Sequence, residues 1–215
     1  MNKVCKICGS QTKEVYHANF KVSYFQCINC EFISKDDSAT ISKEHELKIY
    51  NYHNNSLEDE GYVKFLKNFV DNAIVPFVKG SKALDFGSGP NPVLSHILKS
   101  DYDFSCDIYD LYYSPKKTYL NKLYNLVVCT EVIEHIKYPL DYFKLFKSLL
   151  EEDGTLSMMT LLHSNDDEAF LNWHYIRDKS HISFFSLKTI DITAKKVGLK
   201  RIYTDNNRYI TFKIL

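Results

Sequence analysis

Residues 83–94, ALDFGSGPNPVL, constrain the fold more than any other stretch of the chain. An apolar run ends in Asp85, and Gly87 and Gly89 follow one residue apart. Pro92 then stands where proline suits the first turn of a helix, because its missing N–H would be unbonded there anyway. A buried strand, a glycine turn and a helix in that order form a βα unit, and such a unit usually cradles a nucleotide.

The rest of the chain repeats the alternation. Residues 62–78 carry Phe65, Leu66, Phe69, Val70, Ala73 and Ile74 at helical spacing, and Gly80 ends that segment. The strand patterns are KALDF, DFSCDIYD (103–110), YNLVVCT (124–130) and GTLSMMTL (154–161). Helices are expected from Pro139 to Leu150 and from Ser186 to Val197, the latter stopped by Gly198. KRIYTD and RYITFKI close the chain as an antiparallel pair. Strands alternating with helices specify an α/β fold, a Rossmann-like and mainly parallel sheet covered on both faces, with a C-terminal antiparallel strand.

The N-terminal residues follow a different rule. Cys5-x-x-Cys8 and Cys27-x-x-Cys30 form two pairs with 18 residues between Cys8 and Cys27. Four thiolates at this spacing suit one tetrahedral zinc, a structural site because no position is left open for water. Gly9 allows the tight knuckle, and EVYHANF and KVSYFQC read as the hairpin between the pairs. Two disulfides or one redox pair are the alternatives; a reducing cytosol disfavours the first, and a redox motif needs no second pair. Cys106 and Cys129 stand alone in strand-like runs and read as core residues. The expected organisation is a zinc ribbon over 1–40, a linker and helical segment over 41–80, and a Rossmann-like domain over 81–215 with an insertion at 162–185 that acts as a lid. The polar stretch 34–46 is read as linker.

Composition weighs against some partners. Lys+Arg and Asp+Glu both number 27, giving zero net charge, which weighs against nucleic acid as the substrate. No apolar run approaches 18 residues, so no membrane partner is expected, and MNKVCKICGSQ has no leader-like apolar stretch; the expected location is the cytoplasm.

The glycine turn lacks the third glycine of a dinucleotide site, since Pro92 occupies its place, and it lacks the G-K-[ST] of a phosphate-binding loop. What remains is Asp85-x-Gly87-x-Gly89-x-Asn91, with Asn91 suited to a left-handed turn position. A second acid, Asp110 or Asp107, ends the next strand, where a carboxylate can accept ribose hydroxyls. Little phosphate machinery and a ribose-reading acid suit a nucleoside without phosphates.

ALDFGSGPNP, DIYD and NLVVCTEVIEHI, in that order, resemble the successive nucleotide-site motifs of class I S-adenosylmethionine-dependent methyltransferases. DGTLSMMTL resembles that family's fifth strand, and WHYIRDKSHISFFSLKTI resembles a segment of bacterial members that carry an N-terminal zinc ribbon. The resemblance covers roughly 60–215. It implies S-adenosylmethionine as cofactor, with Asp85, Gly87 and Gly89 lining its methionine and ribose portions, Asp110 on the ribose hydroxyls with Asp107 as fallback, and Glu131 and Val132 along it. Two departures stand out. Only 14 residues separate Asp110 from Asn125, so the family's third strand is expected to be short or missing, and with it the usual polar contact to adenine. Asn125 also stands where an Asp commonly begins the fourth strand.

Methyl transfer is an in-line displacement, so it chiefly requires the acceptor to be placed about 3 Å from the methyl carbon. Positions beyond the carboxyl ends of the strands are therefore the candidates: Glu131, Glu134, His135 and His163, and in 162–185 the residues Trp173, His174, Tyr175, Arg177, Asp178 and His181. His181 is the first candidate for acceptor binding or deprotonation, and His163 the second. His163, His174 and His181 match no helical metal-ligand spacing. Tyr52 and His53 are candidates to close over the cofactor. The leading function is methylation of a small-molecule acceptor such as a sugar or other metabolite. An RNA methyltransferase gripping RNA through the ribbon, and a non-catalytic binding module, are the alternatives.

Overall fold

A computed structural model describes residues 3–52 and 55–215. The ribbon begins with the antiparallel strands β1 (Thr12–His17), β2 (Val22–Cys27) and β3 (Ile33–Lys35). Two helices follow, α1 (Lys43–Asn51) and α2 (Glu60–Ala73). The polar stretch 34–46 is thus only in part a connection: it holds the end of β3 and the first turns of α1, whose N-terminus is capped by Ser42. Both ends of that stretch are too polar and too short to show a period.

The main unit contains β4 (Lys82–Phe86), α3 (Val93–Asp101), β5 (Ser105–Tyr109), β6 (Tyr124–Thr130), α4 (Pro139–Ser148), β7 (Leu150–Met159), α5 (Asp167–Asn172), β8 (Ser183–Phe184), α6 (Leu187–Val197), β9 (Leu199–Thr204) and β10 (Tyr209–Ile214). Six strands form one sheet in the order β5-β4-β6-β7-β10-β9. The first four run parallel, and β10 pairs antiparallel with both β7 and β9. Alternate residues face opposite layers, as a strand's two-residue period requires. Leu84, Val127, Cys129, Leu156 and Met158 pack with Phe143 and Phe146 of α4 and Ile190 and Ala194 of α6. Ala83, Leu126, Val128 and Met159 pack with Leu66, Phe69 and Val70 of α2 and Leu94, Ile97 and Leu98 of α3. Helix α6 shows strong local stop signals: a capping box between Ser186 and Thr189, and Gly198 in the left-handed conformation.

Among the described residues no third strand follows β5, where the short spacing after Asp110 leads one to expect a short or missing one, and β5 is an edge of the sheet. The intervening residues fold back along it. Thr118 Oγ1 donates to the Ile108 carbonyl at 3.0 Å, and the buried Tyr119 packs on Phe86 and Tyr109. A covered edge is protected from pairing with another chain.

Strand β8, from the segment between β7 and α6, pairs with β3 of the ribbon through Ile33–Phe184 and Ser34–Ser183. Ribbon and insertion therefore share one four-stranded sheet, β1-β2-β3-β8. No described helix is long and apolar enough to cross a membrane.

Candidate active site

The strand order reverses at β4, which has β5 on one side and β6 on the other. Open α/β sheets bind ligands beyond the carboxyl ends of the strands at such a point. A cavity of about 710 Å³ lies there, lined by Asp85, Gly87, Gly89, Asn91, Asp110, Glu131 and Val132, and also by His135 and His181. It is within the roughly 300–1,000 Å³ usual for small-molecule and cofactor sites.

The glycine turn is held by two close approaches. Gly87 has φ +86°, and a Cβ there would lie 2.2 Å from Val132 Cγ2. Val132 reaches this position because Glu131, with φ +52°, turns the chain sharply at the end of β6, and the Glu131 N–H donates to the Met159 carbonyl at 2.8 Å. A bulky residue at positive φ is costly and persists only when its surroundings enforce it. Gly89, at φ +68°, has open space where a Cβ would point, so its backbone conformation alone favours glycine.

Asp110 ends β5 and is nearly buried. Its Oδ2 accepts from the Gly89 N–H at 2.9 Å, and its Oδ1 accepts from the N–H groups of Tyr112 at 2.8 Å and Tyr113 at 3.0 Å. Three of about four acceptor directions are thus used by backbone, leaving one on Oδ2. Asp107 is turned elsewhere, accepting from Lys122 Nζ at 2.6 Å and Tyr124 Oη at 2.7 Å. Asp85 is 1% exposed, its Oδ1 has no hydrogen-bond partner, and burial raises its carboxyl to about 7. Asn91 is not left-handed, contrary to expectation. Its side-chain amide instead donates to the Asn55 carbonyl at 2.9 Å, tying the turn to the segment before α2.

Beyond β6, a polar cluster extends from Glu131 of the cavity lining into the interior. Tyr175 Oη donates to Glu131 Oε2 at 3.0 Å, bonds closely to Glu134 Oε1, and lies 3.2 Å from Thr160 Oγ1. Glu131 Oε1 and the fully buried Glu134 Oε2 have no hydrogen-bond partner. Desolvation pushes both carboxyls up, and for Glu134 the neighbouring Glu131 charge adds to it. His135 and His181 stand next to this cluster, ring centroids 4.8 Å apart.

The structure does not bring His163 to the cavity. It is not among the lining residues; its Nδ1 accepts from the Asn165 N–H at 3.1 Å and its ring packs on Phe170. Burial lowers its pKa to about 4. In 162–185, Trp173 belongs to the apolar cluster under the ribbon and Tyr175 is buried, so Asp178 and His181 are that segment's contributions to the cavity lining. Tyr52 is 87% exposed, and His53 lies outside the described residues. Residues that the sequence reading missed are Glu46 and Tyr50 of α1. Glu46 accepts from Tyr50 Oη at 2.9 Å and from Tyr112 Oη at 2.5 Å, joining α1 to the loop that Asp110 holds. No local motif marks them; only their i, i+4 spacing in a helical segment could have suggested one face.

The four ribbon cysteines are unpaired by disulfides and their Sγ atoms cluster within 4.8 Å. Both knuckles repeat one pattern: Cys5 Sγ accepts from the Ile7 and Cys8 N–H groups, and Cys27 Sγ from those of Asn29 and Cys30.

Residues 59–204 match a family model described as a methyltransferase domain. The match spans most of the chain, which therefore belongs to this methyltransferase family. Solved structures agree on the fold. The mitomycin 7-O-methyltransferase MmcR superposes with a TM-score of 0.57 at 11% identity, over 81% of this chain and 59% of that one. An O-methyltransferase family protein from Burkholderia thailandensis gives 0.57 at 9% identity, over 79% and 62%. The O-methyltransferase NcsB1 of neocarzinostatin biosynthesis, in complex with S-adenosyl-L-homocysteine and 1,4-dihydroxy-2-naphthoic acid, gives 0.52 at 12% identity, over 81% and 62%. The chain thus spans about three fifths of the length of these proteins. No curated protein matches it by sequence.

Proposed function

We propose that this chain transfers the methyl group of S-adenosylmethionine to a small-molecule acceptor. The carrying observation is the pair of buried carboxylates around one glycine turn: Asp85 with an unpartnered oxygen, and Asp110 locked to Gly89 by a hydrogen bond at the mouth of β5. In this reading the ribose docks on the remaining acceptor direction of Asp110 Oδ2. The α-ammonium of the cofactor lies toward Asp85. Gly87, Gly89 and Asn91 form the floor, and Glu131 and Val132 flank the sulfonium. One clear role for the protein is placement, since aligning nucleophile, methyl carbon and leaving sulfur removes much of the barrier.

The acceptor occupies the side of the cavity lined by His135, Asp178 and His181, where His181 contributes to acceptor binding or deprotonation. His163 has no part in the reaction, because its ring faces Phe170 beneath the ribbon. A small acceptor is supported by a cavity of about 710 Å³ and by the zero net charge, and NcsB1, of the same fold, is described with a dihydroxynaphthoic acid. The ribbon over 1–40 holds one structural zinc on Cys5, Cys8, Cys27 and Cys30. Its role is to brace the acceptor wall of the 81–215 domain through β3 and β8, and 41–80 supplies the cover in α1. This internal use of the ribbon favours a small acceptor over RNA.

Calorimetry with S-adenosylhomocysteine tests the reading. One site per chain is expected, and Asp110→Ala should weaken it. Binding of NAD in its place would overturn the assignment of the glycine turn.

A further inference from the structure

A second cluster of ligand-bearing side chains adjoins the cavity at its acceptor end. Glu134, His135 and His181 each present a carboxylate oxygen or ring nitrogen, and these atoms all lie within 4.8 Å of one another. Glu134 and His135 come from the turn after β6, and His181 comes from the segment clasped by the ribbon, 46 positions further on, which is why no spacing rule in the sequence exposes the group.

Three observations show a site prepared for a cation. Glu134 is fully buried, and its Oε2 has no hydrogen-bond partner. A buried carboxylate oxygen in that state is costly unless a proton or a cation completes it. His135 Nδ1 lies 3.3 Å from the Ser180 carbonyl, and His181 Nδ1 lies 2.8 Å from the Tyr175 carbonyl. A carbonyl can only accept, so both rings donate from Nδ1. Imidazoles that bind metals are commonly oriented in this way, by a hydrogen bond from the other nitrogen. Glu131 Oε1 is a further buried oxygen beside Glu134, and Asp178 Oδ2, 3.8 Å from His181 Nε2, adds another carboxylate at this end of the cavity.

The geometry points to a divalent first-row cation bound by Glu134, His135 and His181, at the acceptor end of the methyl-transfer cavity. Ligand atoms about 2.1 Å from a metal lie about 3–4 Å apart, so small side-chain rotations close the group onto the ion. One carboxylate and two imidazoles suit borderline cations such as Mn²⁺, Co²⁺ or Fe²⁺ better than a thiol-seeking one. His135 and His181 line the cavity, so in an octahedral ion the other positions open toward the acceptor.

The inference rests on the methyl-transfer reading and extends it to the acceptor, which would be a hydroxyl compound, best with a second oxygen adjacent. Coordination lowers the pKa of the hydroxyl as it does that of bound water. The hydroxyl proton leaves to water, and the oxygen lone pair forms the bond to the methyl carbon. The carbon–sulfur bond breaks with its electrons passing to sulfur, giving the methyl ether, S-adenosylhomocysteine and one released proton. His181 then serves as a ligand, not as the base.

The test is a Mn²⁺ titration of the full chain followed by electron paramagnetic resonance of the free ion, with no acceptor or cofactor needed. Wild type should take up one equivalent. His181→Ala and Glu134→Gln should each weaken uptake by more than about 100-fold, beyond the 10–100-fold typical of changes to residues that only orient ligands. Far-ultraviolet dichroism checks folding, and His135→Asn reads the same site should Glu134→Gln fail to fold. Asp110→Asn should leave Mn²⁺ uptake intact while lowering S-adenosylhomocysteine affinity. Absence of uptake by wild type at about 1 mM Mn²⁺, or equal uptake by wild type and folded ligand variants, overturns the cation site. If S-adenosylhomocysteine still binds in that case, the methyl-transfer reading survives; failure of cofactor binding alongside intact Mn²⁺ uptake would sink that reading instead.

Discussion

Asp110 Oδ2 accepts the Gly89 N–H at 2.9 Å, so the acid that ends β5 and the glycine turn that ends β4 are one rigid unit. The same carboxylate gathers the Tyr112 and Tyr113 N–H groups, and so shapes the loop that takes the place of a third strand. Asp110→Asn should keep part of this framework and Asp110→Ala none. We expect S-adenosylhomocysteine affinity to fall by roughly 1–3 kcal/mol in Asp110→Ala, the scale of a lost hydrogen bond to a charged group, and by less in Asp110→Asn. Calorimetry on both variants checks the order, and equal affinities in all three proteins would refute the role.

Gly87 combines a positive φ with a Val132 methyl at 2.2 Å from any Cβ. Gly87→Ala should therefore lose cofactor binding and cost roughly 1–3 kcal/mol of stability, the usual range for overpacking a tight site. Gly87→Ala combined with Val132→Ala should regain part of that stability, because the contact with Val132 is removed while the backbone strain stays. Thermal melts of the pair separate the two causes.

Burial disfavours the charge of Asp85 and pushes its carboxyl up to about 7. A raised carboxyl pKa makes the folded state bind the proton that the unfolded state has released. Asp85 thus favours folding below about pH 4, and that contribution is lost as pH rises through about 7. Asp85→Asn should accordingly be more stable than wild type at pH 8, by roughly 4 kcal/mol, at about 1.4 kcal/mol for each tenfold change in proton affinity. Cofactor binding should move the other way. The α-ammonium pairs with the carboxylate, so wild-type affinity should rise between pH 6 and about 7.5, and the rise should be absent in Asp85→Asn. Denaturant melts and calorimetry across that window test the two signs independently.

The ribbon reaches the acceptor wall through the β3–β8 ladder, and its Asp37 and Lys6 also meet Lys137 and Tyr138 of the cavity lining. Zinc on Cys5, Cys8, Cys27 and Cys30 should be found at about one equivalent. Chelation, or Cys30→Ser, should raise hydrogen exchange in 174–185 as well as in 3–35, because Ser34–Ser183 and Ile33–Phe184 are the shared ladder. Exchange confined to 3–35 would separate the ribbon from the acceptor wall.

His163→Gln should leave turnover per folded molecule unchanged, since the ring is away from the cavity. Its depressed pKa, about 4 from burial, means that wild type loses stability as pH falls from about 6.5 toward 4, when the unfolded chain takes the proton first. That acid-side loss should be smaller in the variant.

Much of the fold was legible locally. KALDF and YNLVVCT are strands with the expected bounds, and Ser186 and Gly198 bracket α6, because buried parallel strands are unbroken apolar runs and helix ends carry their own hydrogen-bonding residues. The distance from Asp110 to Asn125 was enough to expect a short or missing third strand, since 14 residues cannot hold the usual helix, strand and helix. The glycine turn, its two acids and the two cysteine knuckles are likewise short-range patterns, in which each residue's neighbours in sequence are its neighbours in space. Tertiary structure alone decided the rest. His163 and His181 look alike in sequence, but the pairing of β3 with β8 orients 162–185 so that one ring is buried against Phe170 and the other meets His135. Glu134 looks like an ordinary acid after a strand and proves to be fully buried beside an imidazole from 47 positions away. Such contacts depend on how a whole sheet closes over another, and no property of the separate segments carries that information.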